Sequence, residues 1–508
     1  MLVPARSDAA VAARTSRAVR VASVSTETWL LGGLVLLGAA LRFATLGAQS
    51  YWFDEAQAAH ELQLSLGSML SFMVSVETAP PLYFVLGWVW VHIFGATEVA
   101  LRSLSALAGT ALIPLAYLCG REFISRRAGL LAAAFVAVNP FMVWYSQEAR
   151  EYMLVAAFCA ASLLFFARAW RAPSGRNIAG WGLFSVLALL THYFAAFLIA
   201  PEALLLLYVA RNRAAVAAVA VIGVVELALI PLLVGHATTS LLGFITGTHL
   251  STRLQEVPVA FALGPSFETS LLSYGLIGAA LLAAILLVLL LVGAESDELR
   301  GVGVLAVLAG SVLLLPLGLA VLGTDYYIER ALIPAWLPLS IVVAGACTTR
   351  RLRVPGAVLA TILLAVFVYG LVRISTDSQY QRPNWRGVAD ALGSAPAERG
   401  IVMYDGLGTD PLSVYMSGIP WTQPTGAVGI GEIDVIGYPW QTLASPLPGG
   451  VRLIGTRRVG NNYLVARFSL RTPRALTRSE IGTRGVELLG PGTPGGAAVL
   501  VQHASTSG

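Results

Sequence analysis

Long apolar runs constrain the fold of this chain more than any other feature. Of its 508 residues, 56% are hydrophobic and only 12% are charged, and the mean hydropathy is +0.74. A run of about 18 apolar residues is long enough to cross a bilayer as a helix, and such runs recur as far as residue 373. The sequence therefore predicts a polytopic α-helical membrane protein.

Arginine placement predicts how these runs are oriented. All 33 basic residues are arginines, and loops rich in arginine stay in the cytoplasm. Residues 1–20 contain four arginines against one acid, so we expect a cytoplasmic N-terminus. The formal charge of +5 is then explained by topology and does not indicate a nucleic-acid partner. The other predicted cytoplasmic clusters are 121–127, 168–176, 211–213 and 350–353.

One apolar run, residues 80–94, is predicted to stay out of the bilayer. If it crossed, the next run would return outward and leave the arginines of 121–127 on the wrong side. Its fifteen residues would cover only about 22 Å of a core about 30 Å thick, and its aromatic residues and Pro-Pro start suit a helix in the interface. About eleven spans follow: 28–47, 99–120, 128–145, 151–169, 178–191, 194–210, 214–235, 270–293, 301–322, 331–348 and 355–373.

The composition changes after about residue 375, which predicts two domains, 1–374 and 375–508. The first has a long outer loop, about 48–98, with interfacial helices. The second is polar and rich in Gly and Pro, which favours an extracytoplasmic α/β domain, because an odd number of spans puts it outside. Its predicted strands are 400–404, 451–454, 463–468 and 497–501, and its predicted helices are 385–392 and 411–416.

Cysteine and alanine content bear on the cellular setting. The three cysteines lie in apolar segments, which does not suggest a disulfide or metal framework. The composition, rich in alanine and with arginine as the only base, is typical of a high-GC bacterium. We therefore expect a bacterial plasma-membrane protein.

Polar residues gather at the predicted outer ends of the spans. Two adjacent acids, Asp54 and Glu55, follow the first span directly, and further acids, arginines and tyrosines occupy the later outer hairpins. Arginine binds phosphate through a planar fork of donors, so these hairpins predict a site for a phosphate-bearing substrate. The candidates are Asp54, Glu55, Glu77, Arg102, Glu148, Arg150, His192, Tyr193, Asp325, Glu329 and Arg330.

Each candidate also has an ordinary structural interpretation. Asp54 would cap a helix that begins near Glu55. Arg102 would pair with Glu98 one turn earlier, although a charge inside a span costs about 2.5–3.5 kcal/mol, which favours a function. Arg42 would extend to the lipid headgroups.

The hairpin residues have similar alternatives. Glu148 and Arg150 would form a solvated pair at a turn, and His192 would be a satisfied interfacial histidine. The three charges after the ninth span would pair with each other: Asp325, Glu329 and Arg330.

Five short motifs in a fixed order resemble those of the family-39-type glycosyltransferases, which include protein O-mannosyltransferases and lipid A aminoarabinose transferases. The resemblance extends over about residues 28–350. The motifs are Trp-Phe-Asp-Glu-Ala at 52–56, Thr-Ala-Pro-Pro-Leu-Tyr at 78–83, Leu-Arg-Ser-Leu-Ser-Ala at 101–106, Tyr-Ser-Gln-Glu-Ala-Arg at 145–150 and Thr-His-Tyr at 191–193.

The resemblance implies a GT-C fold and a sugar donor carried on polyprenyl phosphate. Asp54 would be the general base that deprotonates the acceptor, Glu55 would orient or bind the acceptor, and Arg102 would hold the donor phosphate. The family's histidine before Pro-Pro is replaced by Ala79, and Glu77 would take part of its role. The remaining donor phosphate and sugar contacts would be Arg150, His192, Tyr193, Arg330, Glu77 and Tyr83.

Such a reaction needs no nucleotide or redox cofactor, because a sugar phosphoester already contains its leaving group. Displacement from the opposite face would invert the anomeric carbon. A divalent cation at Asp54 and Glu55 is conceivable but not favoured, since arginine can neutralise the phosphate. The sequence does not decide whether the acceptor is a lipid, a glycan or a protein. It also does not decide whether the transferred sugar is a hexose or a pentose.

Two other classes of function remain as alternatives. A polyprenyl-lipid or sugar transporter or flippase would have charges in the middle of its spans and paired broken helices, whereas most charges here lie at outer ends. The third class is a scaffold whose outer domain binds a ligand.

Overall fold

The computed structural model describes residues 25–77, 79–237, 243–404, 406–489 and 497–504. The predicted arginine-rich flank, 1–20, and Thr78 of the second motif lie outside these ranges. The helices up to residue 376 are α1 (Thr26–Phe43), α2 (Phe53–Glu61), α3 (Leu66–Ser75), α4 (Leu82–Phe94), α5 (Glu98–Phe123), α6 (Arg126–Val138), α7 (Pro140–Ser146), α8 (Tyr152–Arg171), α9 (Gly175–Leu189), α10 (Ala196–Ala210), α11 (Arg213–Ala237), α12 (Gly243–Thr246), α13 (Leu250–Leu263), α14 (Glu268–Gly293), α15 (Ser296–Val321), α16 (Ile333–Cys347) and α17 (Arg353–Thr376).

Every predicted span coincides with a helix or a helix pair. Within the described residues, eight helices are long and apolar enough to cross a membrane, and the bent pair α6–α7 makes a ninth span if counted as one. The other two predicted spans, α9 and α16, have only 15 residues each. The polytopic helical architecture is therefore confirmed, with two of the helices shorter than expected.

Arg42 stabilises the bend of 57° between α6 and α7. Pro140 has no N–H, so the carbonyl of Val136 four residues earlier loses its helical partner. The buried guanidinium of Arg42 donates to this carbonyl at 2.8 Å, to the Ala137 carbonyl at 3.1 Å and to Ser146 Oγ at 3.0 Å. Arg42 therefore points into the bundle and does not extend to the headgroups.

The arginine clusters after α5, α8 and α16 lie at one end of the bundle. Glu122 forms ion pairs with Arg168 at 3.8 Å and Arg171 at 3.5 Å, and Arg350 pairs with Glu295 at 2.7 Å. Ile124, which follows Glu122 in the chain, packs near Gly345 of α16, which precedes Arg350. The ion pairs of Glu122 and of Arg350 therefore lie at the same end of the bundle. We call this the arginine end; the candidate site lies at the opposite end.

Helix α4 lies across the site end of the bundle. The Leu82 N–H donates to the carbonyl of Leu190, just after α9. Eight residues later, Trp90 Nε1 donates to the Ala100 carbonyl in the first turn of α5. Both contacts are at the same end of the bundle, and 13 residues extend only about 20 Å. These contacts agree with the expectation that 80–94 does not span, which stays a prediction.

The C-terminal part is a mixed α/β domain, as predicted. Its five-stranded sheet has the order β3-β4-β2-β1-β5, in which only β1 and β2 are parallel. Helices pack on both faces, with α18 and α19 on one and α20 on the other. The elements are α18 (Trp385–Leu392), β1 (Arg399–Met403), α19 (Thr409–Tyr415), β2 (Val428–Gly437), β3 (Val451–Val459), β4 (Tyr463–Leu476), α20 (Arg478–Glu487) and β5 (Ala498–Gln502).

Strand β2 and helix α20 were not predicted from the sequence. Strand β2 contains three glycines and two acids, which do not suggest a strand. Its acids are paired inside the domain: Asp434 with Arg399 at 3.0 Å and Glu432 with Arg467 at 2.6 Å. The start of helix α20 was predictable from the sequence, because Thr477 and Glu480 have the spacing of a capping box.

The C-terminal domain docks on the first outer loop. Ser50 Oγ donates to the Pro383 carbonyl at 2.9 Å and accepts from the Trp385 N–H at 3.0 Å. Glu98 pairs with Arg386 at 2.5 Å and accepts from the Tyr415 hydroxyl at 2.8 Å. The alternative that Glu98 pairs with Arg102 is therefore wrong, because Glu98 joins the two domains.

Candidate functional site

A cavity of about 450 Å³ opens at the site end of the bundle. Its wall combines residues from α2, from the turns between α7 and α8 and between α9 and α10, from the α15–α16 connection and from the C-terminal domain. The lining residues are Trp52, Phe53, Asp54, Gln57, Val76, Glu77, Ala79, Arg150, Glu151, Tyr152, His192, Tyr193, Phe194, Leu233, Ile245, Tyr326, Ile328, Arg330, Ala331 and Leu407.

Six of the predicted site residues share this cavity: Asp54, Glu77, Arg150, His192, Tyr193 and Arg330. They come from positions up to 276 residues apart in the chain, which the arginine-based topology had placed on one face. The other six predicted residues do not line it: Glu55, Tyr83, Arg102, Glu148, Asp325 and Glu329.

Asp54 lies beside Arg330 in the cavity wall. Helix α2 begins at Phe53 with Trp52 as its N-cap residue, so the expectation that Asp54 caps a helix starting near Glu55 is wrong. Its Oδ2 lies 3.9 Å from Nη1 of Arg330, and 24% of the Asp54 side chain is exposed. The pair is loose and partly accessible, so a ligand can reach both charges.

Arg150 is held more tightly, by Glu77. Its Nη1 and Nη2 donate to the two oxygens of that carboxylate at 3.2 and 3.1 Å, and its Nε lies 3.0 Å from Glu151. Gln57 also donates to Glu77 at 3.0 Å. The alternative of a solvated pair between Glu148 and Arg150 is wrong, because both residues are buried and Arg150 pairs with Glu77.

Glu61 is a buried acid that the sequence analysis overlooked. Among the described residues neither of its carboxyl oxygens has a hydrogen-bond partner, and burial, together with the charge of Glu77, raises its pKa. This environment favours the protonated form. Its spacing was a usable signal, since residues seven apart on a helix share a face and Glu61 follows Asp54 by seven.

His192 enters the cavity as a neutral imidazole. Burial lowers its pKa, and its Nδ1 accepts the Phe194 N–H at 3.1 Å. The remaining proton is therefore on Nε2, which makes that nitrogen a donor. Next to it, the buried hydroxyl of Tyr193 has no hydrogen-bond partner among the described residues.

Glu55 and Arg102 form a buried ion pair behind the cavity wall. Arg102 donates Nε and Nη2 to the two oxygens of Glu55 at 2.7 and 2.6 Å. Its other N–H groups bond to the carbonyls of Leu46, Gln49 and Ser50 at 2.7, 2.8 and 3.1 Å. All five donors of the guanidinium are used, which argues against the predicted role of Arg102 in binding phosphate.

Glu55 is likewise committed to the protein. It accepts the Ala149 N–H at 2.8 Å besides its two bonds to Arg102, and its side chain is fully buried. This geometry argues against direct contact with an acceptor and against a cation shared with Asp54. In the ranges that the structure describes, no three His, Cys, Asp or Glu side chains are placed to bind one metal ion.

Two other predicted residues, Tyr83 and Asp325, contact neighbouring side chains and do not line the cavity. Tyr83 is buried and packs edge-on against Phe84 at 5.4 Å. Asp325 forms a two-bond ion pair with Arg253 at 2.8 and 2.5 Å, so the alternative that it pairs with Arg330 is wrong.

Glu202 is a second acid that the sequence analysis overlooked, and it lies within α10. Its Oε2 accepts from Ser162 Oγ at 2.7 Å and from Trp181 Nε1 at 2.9 Å. These bonds join α8, α9 and α10, so this intramembrane acid holds helices together and does not line the cavity.

Part of the sequence matches a glycosyltransferase family. Residues 78–236, less than a third of the chain, match the model described as dolichyl-phosphate-mannose-protein mannosyltransferase. No curated protein matches the sequence significantly.

Solved structures share the architecture. The crystal structure of ArnT from Cupriavidus metallidurans in the apo state matches with a TM-score of 0.51 and 13% identity, over 87% of this chain and 98% of that chain. ArnT bound to undecaprenyl phosphate matches over the same shares with 13% identity and a TM-score of 0.49. The oligosaccharyltransferase AglB from Archaeoglobus fulgidus, in complex with an inhibitory peptide and a dolichol-phosphate, matches with 14% identity and a TM-score of 0.41, over 82% of this chain and 62% of that chain.

The resemblance noted in the sequence is thus confirmed at the level of fold. The apo ArnT structure extends it well beyond residues 78–236, over 87% of this chain and 98% of that chain. The chain is a multi-pass membrane protein with the GT-C fold seen in ArnT, and its residues 78–236 are similar to the dolichyl-phosphate-mannose-protein mannosyltransferase family.

Proposed function

We propose that this protein transfers a sugar from a polyprenyl-phosphate donor to an acceptor on the extracytoplasmic side of a bacterial plasma membrane. The N-terminus and the arginine end would face the cytoplasm, and the cavity and the C-terminal domain would face outward. The proposal rests mainly on one observation, a single cavity that combines an accessible acid, arginines and an apolar wall.

The cavity is amphipathic, as a lipid phosphate requires. Its charged part consists of two arginines, Arg150 and Arg330, and three acids, Asp54, Glu77 and Glu151, and its apolar part includes Val76, Phe194, Leu233 and Ile245. Leu233 belongs to α11, which exposes many of its apolar side chains along its length, so this part of the wall adjoins the lipid-facing surface. A polyprenyl chain would enter from that side and leave its phosphate among the arginines.

Asp54 would act as the general base. It would take the proton of the acceptor hydroxyl while the acceptor oxygen bonds to the anomeric carbon and the bond from that carbon to the phosphate oxygen breaks. The polyprenyl phosphate would leave with the bonding electron pair, and the anomeric carbon would be inverted. Base catalysis of this kind contributes about 10²–10⁴-fold to a rate.

Arg330 is better suited than Arg150 to receive the phosphate. Arg150 is fixed by a two-bond fork to Glu77, at 3.1–3.2 Å. Arg330 lies farther from its acid, at 3.9 Å from Asp54, so a phosphate competes more easily for this contact than for the fork between Arg150 and Glu77. Movement of Arg330 toward the phosphate would also release Asp54 to accept a proton. Arg150 and the Nε2–H of His192 would then contact the phosphate or the sugar.

Replacing Arg330 with Gln tests the proposed donor site. Loss of one preorganised charge that stabilises the leaving group is expected to lower kcat by about 10²–10³-fold and to weaken binding of polyprenyl phosphate. Transfer from a polyprenyl-phosphate sugar by the purified protein measures the first effect, and titration with polyprenyl phosphate measures the second.

The matched control for this variant is Arg350→Gln at the arginine end. Arg350 is exposed and forms a surface ion pair with Glu295, so its loss should leave both measurements close to those of the wild type. Equal turnover of Arg330→Gln and the wild type would refute the phosphate role of Arg330.

A further inference from the structure

A second cavity, of about 300 Å³, lies on the other side of Trp52 and Arg330. These two residues line both cavities, and Cζ of Arg330 lies 5.6 Å from the centre of the Trp52 ring. The rest of the lining comes from the α7–α8 turn, from the segment after α13 and from the segment that joins α17 to the C-terminal domain: Trp144, Tyr145, Glu148, Pro265, Ser266, Glu329, Gln379, Gln381, Arg382 and Pro383.

The second cavity differs from the first in chemistry. Its lining contains aromatic side chains, amides, carboxylates and arginines, and two prolines are the only aliphatic members among the residues that the structure describes. By contrast, Leu233, Ile245 and Val76 line the first cavity. A lipid chain would therefore find little apolar surface here.

The charges of the second cavity are balanced. Arg382 pairs with Glu148 at 2.9 Å, and the neighbouring residues Glu329 and Arg330 add one charge of each sign. Because the charges of this wall offset one another and amides lie beside them, the cavity suits a neutral ligand that has many hydroxyl groups.

Two buried polar atoms in this wall have no hydrogen-bond partner in the described part of the chain. They are Oε1 of Glu148, whose side chain is only 3% exposed, and Oγ of Ser266. A buried polar atom without a partner costs about 1–3 kcal/mol, so a ligand hydroxyl that bonds to either atom recovers that energy. Burial also raises the pKa of Glu148 to about 7, which allows its carboxyl group to accept or donate.

We propose that the second cavity binds the acceptor and that the acceptor is a neutral carbohydrate. A sugar ring has apolar C–H groups for the aromatic part of this wall, in which Arg382 covers one face of Trp144 at 4.3 Å, and hydroxyls for the carboxylates and amides. A glycan held there would extend past Trp52, so that its terminal hydroxyl reaches Asp54 and the donor in the first cavity. This inference rests on the proposed function, since it names the acceptor of that reaction.

The test uses the full-length protein in lipid nanodiscs and saturation-transfer NMR, which needs no turnover. The probes are methyl α-mannopyranoside, methyl α-arabinofuranoside and a short peptide rich in Ser and Thr. Ser266→Phe and Gln379→Trp each place a bulky side chain in the second cavity, at independent positions. Ser251→Phe makes the same change as the first variant at an exposed position of α13.

Saturation transfer to at least one glycoside is expected in the wild type and in Ser251→Phe. It should fall roughly tenfold, the equivalent of about 1.4 kcal/mol, in the two blocked variants. Binding of polyprenyl phosphate should be the same in all four proteins, which shows that the blocked variants are folded.

Three outcomes would overturn the inference: no transfer to either glycoside in the wild type, equal transfer in the blocked variants, or a peptide signal that the blocked variants lose instead. Failure of the wild type to bind polyprenyl phosphate would overturn the proposed function itself. The two failures are therefore distinguishable.

Discussion

Replacing Asp54 with Asn is expected to reduce sugar transfer by about 10²–10⁴-fold, because the amide keeps the shape of the side chain but does not accept the acceptor proton. Binding of the donor should persist. Asp54 is the acid that lies 3.9 Å from Arg330, and its neutralisation leaves that arginine available to the phosphate. Single-turnover transfer with a bound polyprenyl-phosphate sugar isolates the chemical step from binding.

Asp297→Asn is the matched control for Asp54→Asn. Asp297 is an exposed acid in the first turn of α15, at the arginine end, so the same change of charge is made far from the cavity. Its turnover should equal that of the wild type. Wild-type turnover in Asp54→Asn, with the donor bound normally, would rule out Asp54 as the base.

Arg102→Ala is expected to cost about 3–5 kcal/mol of stability, because it leaves the carboxylate of Glu55 buried without its partner. The side chains of this pair are 1% and 0% exposed. Since Arg102 also bonds to three carbonyls that precede α2, the loss should be concentrated in the first outer loop. Thermal unfolding and limited proteolysis within residues 48–98 measure it.

Two further variants test whether the loss of stability in Arg102→Ala comes from the unpaired buried charge of Glu55 or from shortening the side chain. Glu55→Gln combined with Arg102→Met removes both charges and should be less destabilising than Arg102→Ala alone. Arg386→Ala breaks the more exposed pair with Glu98, in which the arginine is 41% exposed, and should cost no more than about 1 kcal/mol. If Arg102→Ala unfolds like Arg386→Ala, the structural role assigned to Arg102 is wrong.

The membrane architecture was predictable because it depends on local properties. Apolar length and arginine position identified every span, and the requirement that the arginines of 121–127 share one side kept α4 out of the bilayer. The same reasoning placed six cavity residues on one face before any contact was known, since the ends of helices and the turns between them follow directly from the topology.

Which charged residues pair with each other was not predictable in this way. Arg102 was expected to bind phosphate, but its partner Glu55 is 47 positions earlier in the chain and behind the cavity wall. Only packing of α2 against α5 and the α7–α8 turn decides that Glu55 is buried while its neighbour Asp54 faces the cavity. The second cavity was also beyond the sequence, since part of its wall comes from residues 379–383, in the segment before the C-terminal domain.

The most direct test of the central claim is the fate of a polyprenyl-phosphate sugar given to the purified protein together with bacterial envelope glycans. A panel of donors with different hexoses and pentoses should contain at least one that the wild type cleaves, releasing polyprenyl phosphate and labelling the glycan, while Asp54→Asn leaves the donor intact. Movement of labelled donor across the vesicle membrane without cleavage, for every sugar tested, would contradict the account and favour a transporter.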